Sequence, residues 1–505
     1  MGSLPDSKYI IKTDGYWFVE AHDVEPSKGY ISVSAEGIVN GLSNQPNDGA
    51  DFGPDSYNPN YSGSGIPYTQ TSGIQEAVNY AKNNNAIPIR LSSGNFNITS
   101  QITIDDNGIQ IYGSGGLAVT GLVTDYDTEP INGTVINISN ASDGIHIEPS
   151  GKILSGIVLR DFIVNYTNTL GGTGNAFYIS GATSGYYSLM HFDMVNLSAL
   201  NVDSSHYPFY IANFLYARIE NLYAKGEGTI FRFNENNSSI NFGNSVIVNL
   251  FGNQVNKTYT GNLIEFVCDT HDNGLNLIYV NRLQVNFLTN VPSNLLYTKG
   301  MSLSSITGLD IENGKNPTAN AYNITLEAFT NVQDLYVDIS TYIPSGYTLD
   351  FTITNVSRSV LNLIAEALNY NLTLTGVSNV ISYATGTLKS VSGQGIIFRD
   401  VNALGYNVTP SLTTNPPATA TVYQNTNPYD IRIYLPAYAS TSGTAGTVAI
   451  ALGSSSSPST IGTRYISGST SSSSTDILEL VVPAGWYYEY TLTGVTLATA
   501  TVVAA

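Results

Sequence analysis

The chain has 505 residues, of which 42% are apolar and only 11% charged, with 35 Tyr against 2 Trp; this excludes a disordered chain and suits β-structure under an uncharged polar surface. A formal charge of −19, from 19 Lys and Arg against 38 Asp and Glu, with no basic run, excludes a nucleic-acid partner, because phosphate backbones are held by clustered cations. One Cys excludes an intramolecular disulfide framework and a multi-cysteine zinc site, and no stretch is long and apolar enough for a membrane span.

The first 45 residues hold strand-like pieces, KYIIKTDGYWFVEAHD and GYISVSA, separated by turn residues. MGSLPDSKYIIKTDG lacks the basic-then-apolar layout of a signal peptide, so an extracellular protein would travel as part of a particle. A Gly/Pro/Asn-rich loop, NDGADFGPDSYNPNYSGSGIPYTQ, then leads into TSGIQEAVNYAKNNNAIPIRLSSGNFNIT. Here Ser72 and Gln75 have the spacing of a capping box, and Ile74, Ala77, Val78 and Ala81 form one apolar face. The spacing predicts a helix over about 72–82, followed by a strand at IPIRL and another after a turn at SSGNFNIT.

No further helical pattern follows; the chain repeats instead. LRDFIV, MVNLSA, RIENLYA, IVNLFG, VNRLQV, ITGLDI and VQDLYV share one layout and place Asp161, Asn196, Asn221, Asn249, Arg282, Gly308 and Asp334 in one register. A spacing of about 25 to 35 residues is that of stacked supersecondary units, each leaving an apolar face for its neighbour to bury. Asn and Asp at this position suit a tight bend, since they tolerate left-handed backbone, and their amides can stack into a ladder. The solenoid is expected over about 75–395. Pro and Thr cluster in NVTPSLTTNPPATA, and beyond it TATVYQ, DIRIYLPAY, GTVAIALG, RYISG, DILELVVP and WYYEYTL alternate with turns at sandwich-like intervals.

The order of DGADFGPDS, the helix SGIQEAVNYA, a strand and SSGNFNI resembles the entry to the pectate lyase-like right-handed β-helix proteins, in which a short amphipathic helix caps the first coil. The ending PAGWYYEYTLTGVTLATATVVAA resembles small β-sandwich modules on viral tail and surface proteins, archaeal ones included. The whole layout is similar to viral tailspikes. That resemblance implies an all-β chain with an N-terminal attachment or capping segment (1–45), a right-handed parallel β-helix (46–400) and a C-terminal antiparallel β-sandwich for trimerisation or binding (410–505). It also implies a homotrimer on the virion surface, host-surface glycan as ligand, other tail proteins as partners of the N-terminal segment, and neither cofactor nor metal. Polygalacturonases of this fold carry Gly-His-Gly and Arg-x-Lys, both absent here, and Asp105-Asp106 comes too early to replace their Asp pair; pectin chemistry is not expected.

Three loops carry reactive side chains. VCDTHDNG holds Cys268, Asp269, His271 and Asp272; about one coil later, GLDIENG holds Asp310 and Glu312. Glycoside hydrolysis needs two carboxyl groups about 5–9.5 Å apart, a separation neighbouring coils can supply, so Asp269, Asp272, Asp310 and Glu312 are the candidate catalytic groups. In NVDSSHYPFY, Asp203 and His206 with Tyr207 and Tyr210 are candidate sugar-binding residues, and His271 joins them. The plain readings stand beside these: Asp makes turns, Cys268 packs as a small hydrophobe, and Tyr207, Phe209 and Tyr210 fill an interior. Glycan hydrolase, glycan-binding adhesin and structural virion surface protein are the three functions to separate.

Overall fold

The repeat register of the sequence is a column of left-handed corners. Asp161, Asn196, Asn221, Asn249, Arg282 and Gly308 have φ between 54° and 66°. A single such residue inside an extended run turns the chain, and costs most L-residues about 1–2 kcal/mol. The strands through these corners, Val158–Tyr166, Asp193–Val202, Arg218–Gly226, Phe242–Gln254, Leu275–Phe287 and Ser304–Asn313, pair in parallel in that order. One residue beyond each corner, Phe162, Leu197, Leu222, Leu250, Leu283 and Leu309 line up and are fully buried. The corner amides bond along the column: Asn196 Nδ2 donates to Asp161 Oδ1 at 2.7 Å, Asn221 to Asn196 at 2.9 Å and Asn249 to Asn221 at 2.9 Å. At Arg282 the amides give way to a guanidinium lying 5.2 Å from the centre of the Phe251 ring.

The computed structural model describes residues 10–13, 16–19, 29–35, 50–54, 56, 69–115, 133–139, 142–149, 151–167, 174–185, 188–237, 239, 242–289, 292–313, 321–327, 335–342, 348–355, 360–363, 369–378, 381–384, 387–394, 397–399, 420–425, 430–466, 476–483, 485–497 and 501–504, without 269–274. Asp334, the last position of the expected register, lies outside them. These residues fall into two units, Met1–Phe351 with Ile364–Asn369, and Thr352–Leu363 with Tyr370–Ala505.

In the first unit a second parallel ladder alternates along the chain with the cornered one. It runs through Ile102–Ile104, Ile145–Ile147, Phe177–Ser180, Phe209–Ala212, Phe231–Glu235, Asn262–Cys268, Asn294–Lys299 and Ala321–Glu327. Each coil thus gives a strand to both ladders, and the chain winds as a right-handed parallel β-helix. Alternation turns every second side chain inward. Phe177, Phe209 and Phe231 stack there at 4.9 and 5.7 Å, and Phe233 on Phe266 at 4.8 Å. Burial of each such ring contributes roughly 1.5–3 kcal/mol, which a coil obtains only from its neighbours.

Ile74–Asn83 is the one helix among the described residues, and Ile74, Ala77, Val78 and Ala81 form its buried face. The expected capping box does not form. Gly73, at φ 84°, is the N-cap, and a Cβ there would lie 2.5 Å from the Gly53 nitrogen, so the turn requires glycine. Ser72 instead donates to the Asn97 carbonyl at 2.7 Å, and Thr71 Oγ1 accepts the Gln75 N–H at 3.1 Å. Gln75 is spent on the Thr103 backbone, accepting its N–H at 2.6 Å. Thr69 and Thr71 hydroxyls donate to Glu76 Oε2 at 2.7 and 3.1 Å; burial still pushes this carboxyl above its ordinary value. Ile31–Val33 joins the coil sheet beside Ile89–Leu91, while Ile10–Thr13 and Tyr16–Val19 form a hairpin.

The second unit begins with parallel strands Val360–Leu363, Ile381–Ala384 and Ile397–Arg399. It ends in two antiparallel sheets. Ile431–Ala439 pairs with Asp476–Val482, Val495–Leu497 and Thr501–Ala504; Gly446–Gly453 lies between Ser459–Ile466 and Tyr487–Thr493. Their inner faces meet in one core of Ile433, Leu435, Val448, Leu480 and Tyr490.

Two outcomes follow from these contacts. Replacing Asn221 with Ala removes two ladder bonds and a residue tolerant of left-handed backbone, and should lower unfolding free energy by about 2–3 kcal/mol in denaturant melts; Asn221→Gly should lose about 1 kcal/mol less. Because Glu76 is raised, its contribution to stability is complete below the ordinary carboxyl value of 4.5 and is lost as pH rises through its folded-state value. Glu76→Gln should therefore melt higher than the wild type at neutral pH and converge with it in acid; parallel profiles would contradict this.

Candidate functional site

Strands of the second ladder read apolar, X, apolar in IHI, FYI, FYI, FRF, IEF and ITL, and LYT differs only in placing the buried Thr298 at its last position. With the flanking residues inside, the middle one faces outward. The register lines up His146, Tyr178, Tyr210, Arg232, Glu265, Tyr297 and Thr325 on consecutive coils. Coil spacing is close to ring-stacking distance: His146 stacks on Tyr178 at 4.7 Å and Tyr178 on Tyr210 at 5.1 Å, with planes within 10°. All three rings are partly exposed.

Next along the row, the Arg232 guanidinium lies 5.4 Å from the centre of the Tyr207 ring and pairs with Glu265, whose side chain is 10% exposed. Asn262 Nδ2 donates to the other Glu265 oxygen at 2.8 Å. Tyr207 tilts against Tyr210 at 5.6 Å, and the Asn234 amide donates to the Tyr210 hydroxyl at 3.2 Å. Burial raises the Tyr178 phenol to about 12 and lifts Tyr207 against the opposing pull of Arg232. Both phenols stay protonated and can donate hydrogen bonds near neutrality.

Two Asp-x-x-His pairs border the row. Asp143 meets His146 Nδ1 at 2.9 Å and Asp203 meets His206 Nδ1 at 2.9 Å. A carboxylate only accepts, so Nδ1 carries the proton in both rings and the imidazole is fixed in orientation. Asp143 Oδ1 also accepts the Asn175 N–H at 2.8 Å, and Asn175 Oδ1 accepts the Tyr207 N–H at 2.9 Å, which ties three coils together. Glu148 lies 3.5 Å from His146 Nε2. Rings, phenols, amides and oriented carboxylates on one outward surface can hold an array of hydroxyl groups and apolar ring faces.

Of the residues singled out from sequence, Asp203, His206, Tyr207 and Tyr210 come together here. Phe209, between two of them, is fully buried against Phe177 and Phe231. Asp269, His271 and Asp272 lie outside the described residues. Asp310 is on the cornered ladder, paired with Gln284, and the strand carrying Glu312 is the same one; neither belongs to the row. Cys268 is buried, and its thiol donates to Glu235 Oε2 at 2.6 Å. Asp105 and Asp106 form surface ion pairs with Lys82 and Lys152. Among the described residues no group of three or more His, Cys, Asp or Glu is placed to hold a metal ion, and no helix is long and apolar enough to cross a membrane. His146, Tyr178, Arg232 and Glu265 were not singled out, although the recurring apolar-X-apolar triplet marks each of them.

No protein-family model and no curated protein matches the chain. Solved structures do. The A-module of a mannuronan C-5 epimerase of Azotobacter vinelandii is 13% identical over 65% of this chain and 94% of that one, with a TM-score of 0.37. An Acinetobacter phage tailspike protein is 12% identical over 96% of this chain and 91% of that one, TM-score 0.37. A DFA-IIIase of Arthrobacter chlorophenolicus is 12% identical over 63% and 76%, TM-score 0.36.

Removing one partner of a buried ion pair strands the other. Arg232→Ala should therefore destabilise the protein by about 3 kcal/mol, with Arg232→Met plus Glu265→Gln recovering most of the loss; thermal melts of the single and double variants check this.

Proposed function

We propose that the protein is a receptor-binding protein of the viral tailspike type, which binds host-surface polysaccharide or protein-linked glycans along this row and cleaves them by endo-glycosidic hydrolysis. The observation that carries the reading is the half-exposed stack of His146, Tyr178 and Tyr210, continued by Arg232 with Glu265 and bordered by Asp203 with His206. Sugar rings present an apolar face and an edge of hydroxyls, and this row offers aromatic faces beside oriented acceptors and donors. For hydrolysis, Asp203 and Glu265 are the carboxyl groups of the described face. Asp269 and Asp272, which follow Cys268 in sequence, complete the candidate set for this row; Asp310 and Glu312, on the cornered ladder, are candidates for a separate face.

In this reading the second unit's sandwich holds a homotrimer, the first 45 residues join other tail proteins, and the protein sits on the surface of a virion, an archaeal one included. No cofactor is invoked. A non-enzymatic adhesin on the same face is favoured by one observation: Asp203 is engaged by the His206 imidazole, and Glu265 by the Arg232 guanidinium and the Asn262 amide, as groups held for binding would be.

Tyr178→Ala and Tyr210→Ala should each weaken binding to isolated envelope glycans about tenfold, equivalent to about 1.4 kcal/mol, with circular dichroism unchanged. Mass analysis after long incubation separates the two readings: shortened chains support hydrolysis, and intact chains with retained binding support the adhesin. Unaltered binding by both variants would remove the row from the function.

A further inference from the structure

The outward row is acidic as well as aromatic, and this limits what it can hold. Asp143, Glu148, Asp203 and Glu265 line it or border it, with Glu327 at the end of the strand beside Tyr297, whose hydroxyl donates to it at 2.7 Å. Against them stand Arg232 and Lys299. Arg232 is turned to Glu265, and Lys299 is in register with Glu327 itself. His146 and His206 each face a carboxylate at 2.9 Å, so their Nδ1–H donors are committed to the protein.

Resting on the reading of this face as a glycan site, we infer that its ligand is a glycan built of uncharged sugars, neutral or N-acetylated, and not a polyuronate, a sialylated chain or another polyanion. A carboxylate or phosphate on a ligand is recognised by guanidinium or ammonium groups with donors to spare. Here the guanidinium is matched by Glu265, and the strand position of Lys299 is in register with that of another acid, Glu327. Charges within a Debye length, about 8–10 Å at ordinary salt, repel a polyanion without full screening, and the −19 charge of the chain has the same sign. What the face offers suits hydroxyl and acetamido groups: the ring faces of His146, Tyr178 and Tyr210, and the protonated phenol of Tyr178.

The test is binding of the full chain to an array of neutral, N-acetylated, uronate-bearing and sialylated oligosaccharides at low and high salt. Uncharged chains should bind with an affinity that changes less than about twofold with salt, and polyuronates at least about tenfold more weakly at low salt, the gap closing as salt rises. Glu148→Gln should narrow that gap at low salt. Tighter binding of an acidic chain at low salt overturns the inference and leaves the glycan reading standing. Binding of no oligosaccharide of either kind overturns the reading, and the inference with it.

Discussion

One left-handed residue per coil is the constraint on which this structure depends. It fixes where each strand turns, and so which side chains of the next leg face inward. The bonded corner residues are separated by 35, 25 and 28 positions along the chain, yet the corner column stays in register. Extra residues are taken up in the loops. Asn and Asp hold the position because they tolerate the conformation and because each amide can donate to the corner below and accept from the corner above. Where the column reaches Arg282 and Gly308, a cation over an aromatic ring and a residue without a side chain replace that bond.

The same stacking produces both a core and a surface row. In-register parallel strands place equivalent side chains one strand spacing apart. Inside, that spacing stacks Phe177, Phe209 and Phe231; outside, it stacks His146, Tyr178 and Tyr210. The inner rings are sealed from water, whereas the outer ones keep an exposed face and carry polar atoms, an imidazole at His146 and hydroxyl groups at Tyr178 and Tyr210. A ligand with its own repeat of a few ångströms meets a surface whose repeat comes from the backbone. Polar groups at the border, such as Asn175 bridging Asp143 and Tyr207, hold the row without blocking it.

Much of the fold was legible in the sequence because its signals repeat. The corner register from Asp161 to Gly308 was visible as an alignment, and the helix face of Ile74, Ala77, Val78 and Ala81 as a period. The expected capping box does not form, and spacing cannot show why: Gly53 approaches Gly73, where a left-handed N-cap leaves Ser72 and Gln75 to distant backbone. The site was harder. Arg232 and Glu265 are 33 positions apart; the triplets FRF and IEF mark each as outward, but only the winding of the coil brings them together. Asp310 sits about one coil after the loop at 269–272, but a coil has more than one leg, and sequence spacing does not say which leg a residue occupies.

The most direct measurement is the position of a bound oligosaccharide, from crystals of the full chain soaked with fragments of an envelope glycan that it retains. Sugar rings lying over Tyr178 and Tyr210, with hydroxyl groups reaching toward Asp203 and Glu265, are the expected result. Sugar bound solely on the cornered ladder or on the C-terminal sheets, with the Tyr178–Tyr210 row bare, would contradict the assignment of this face.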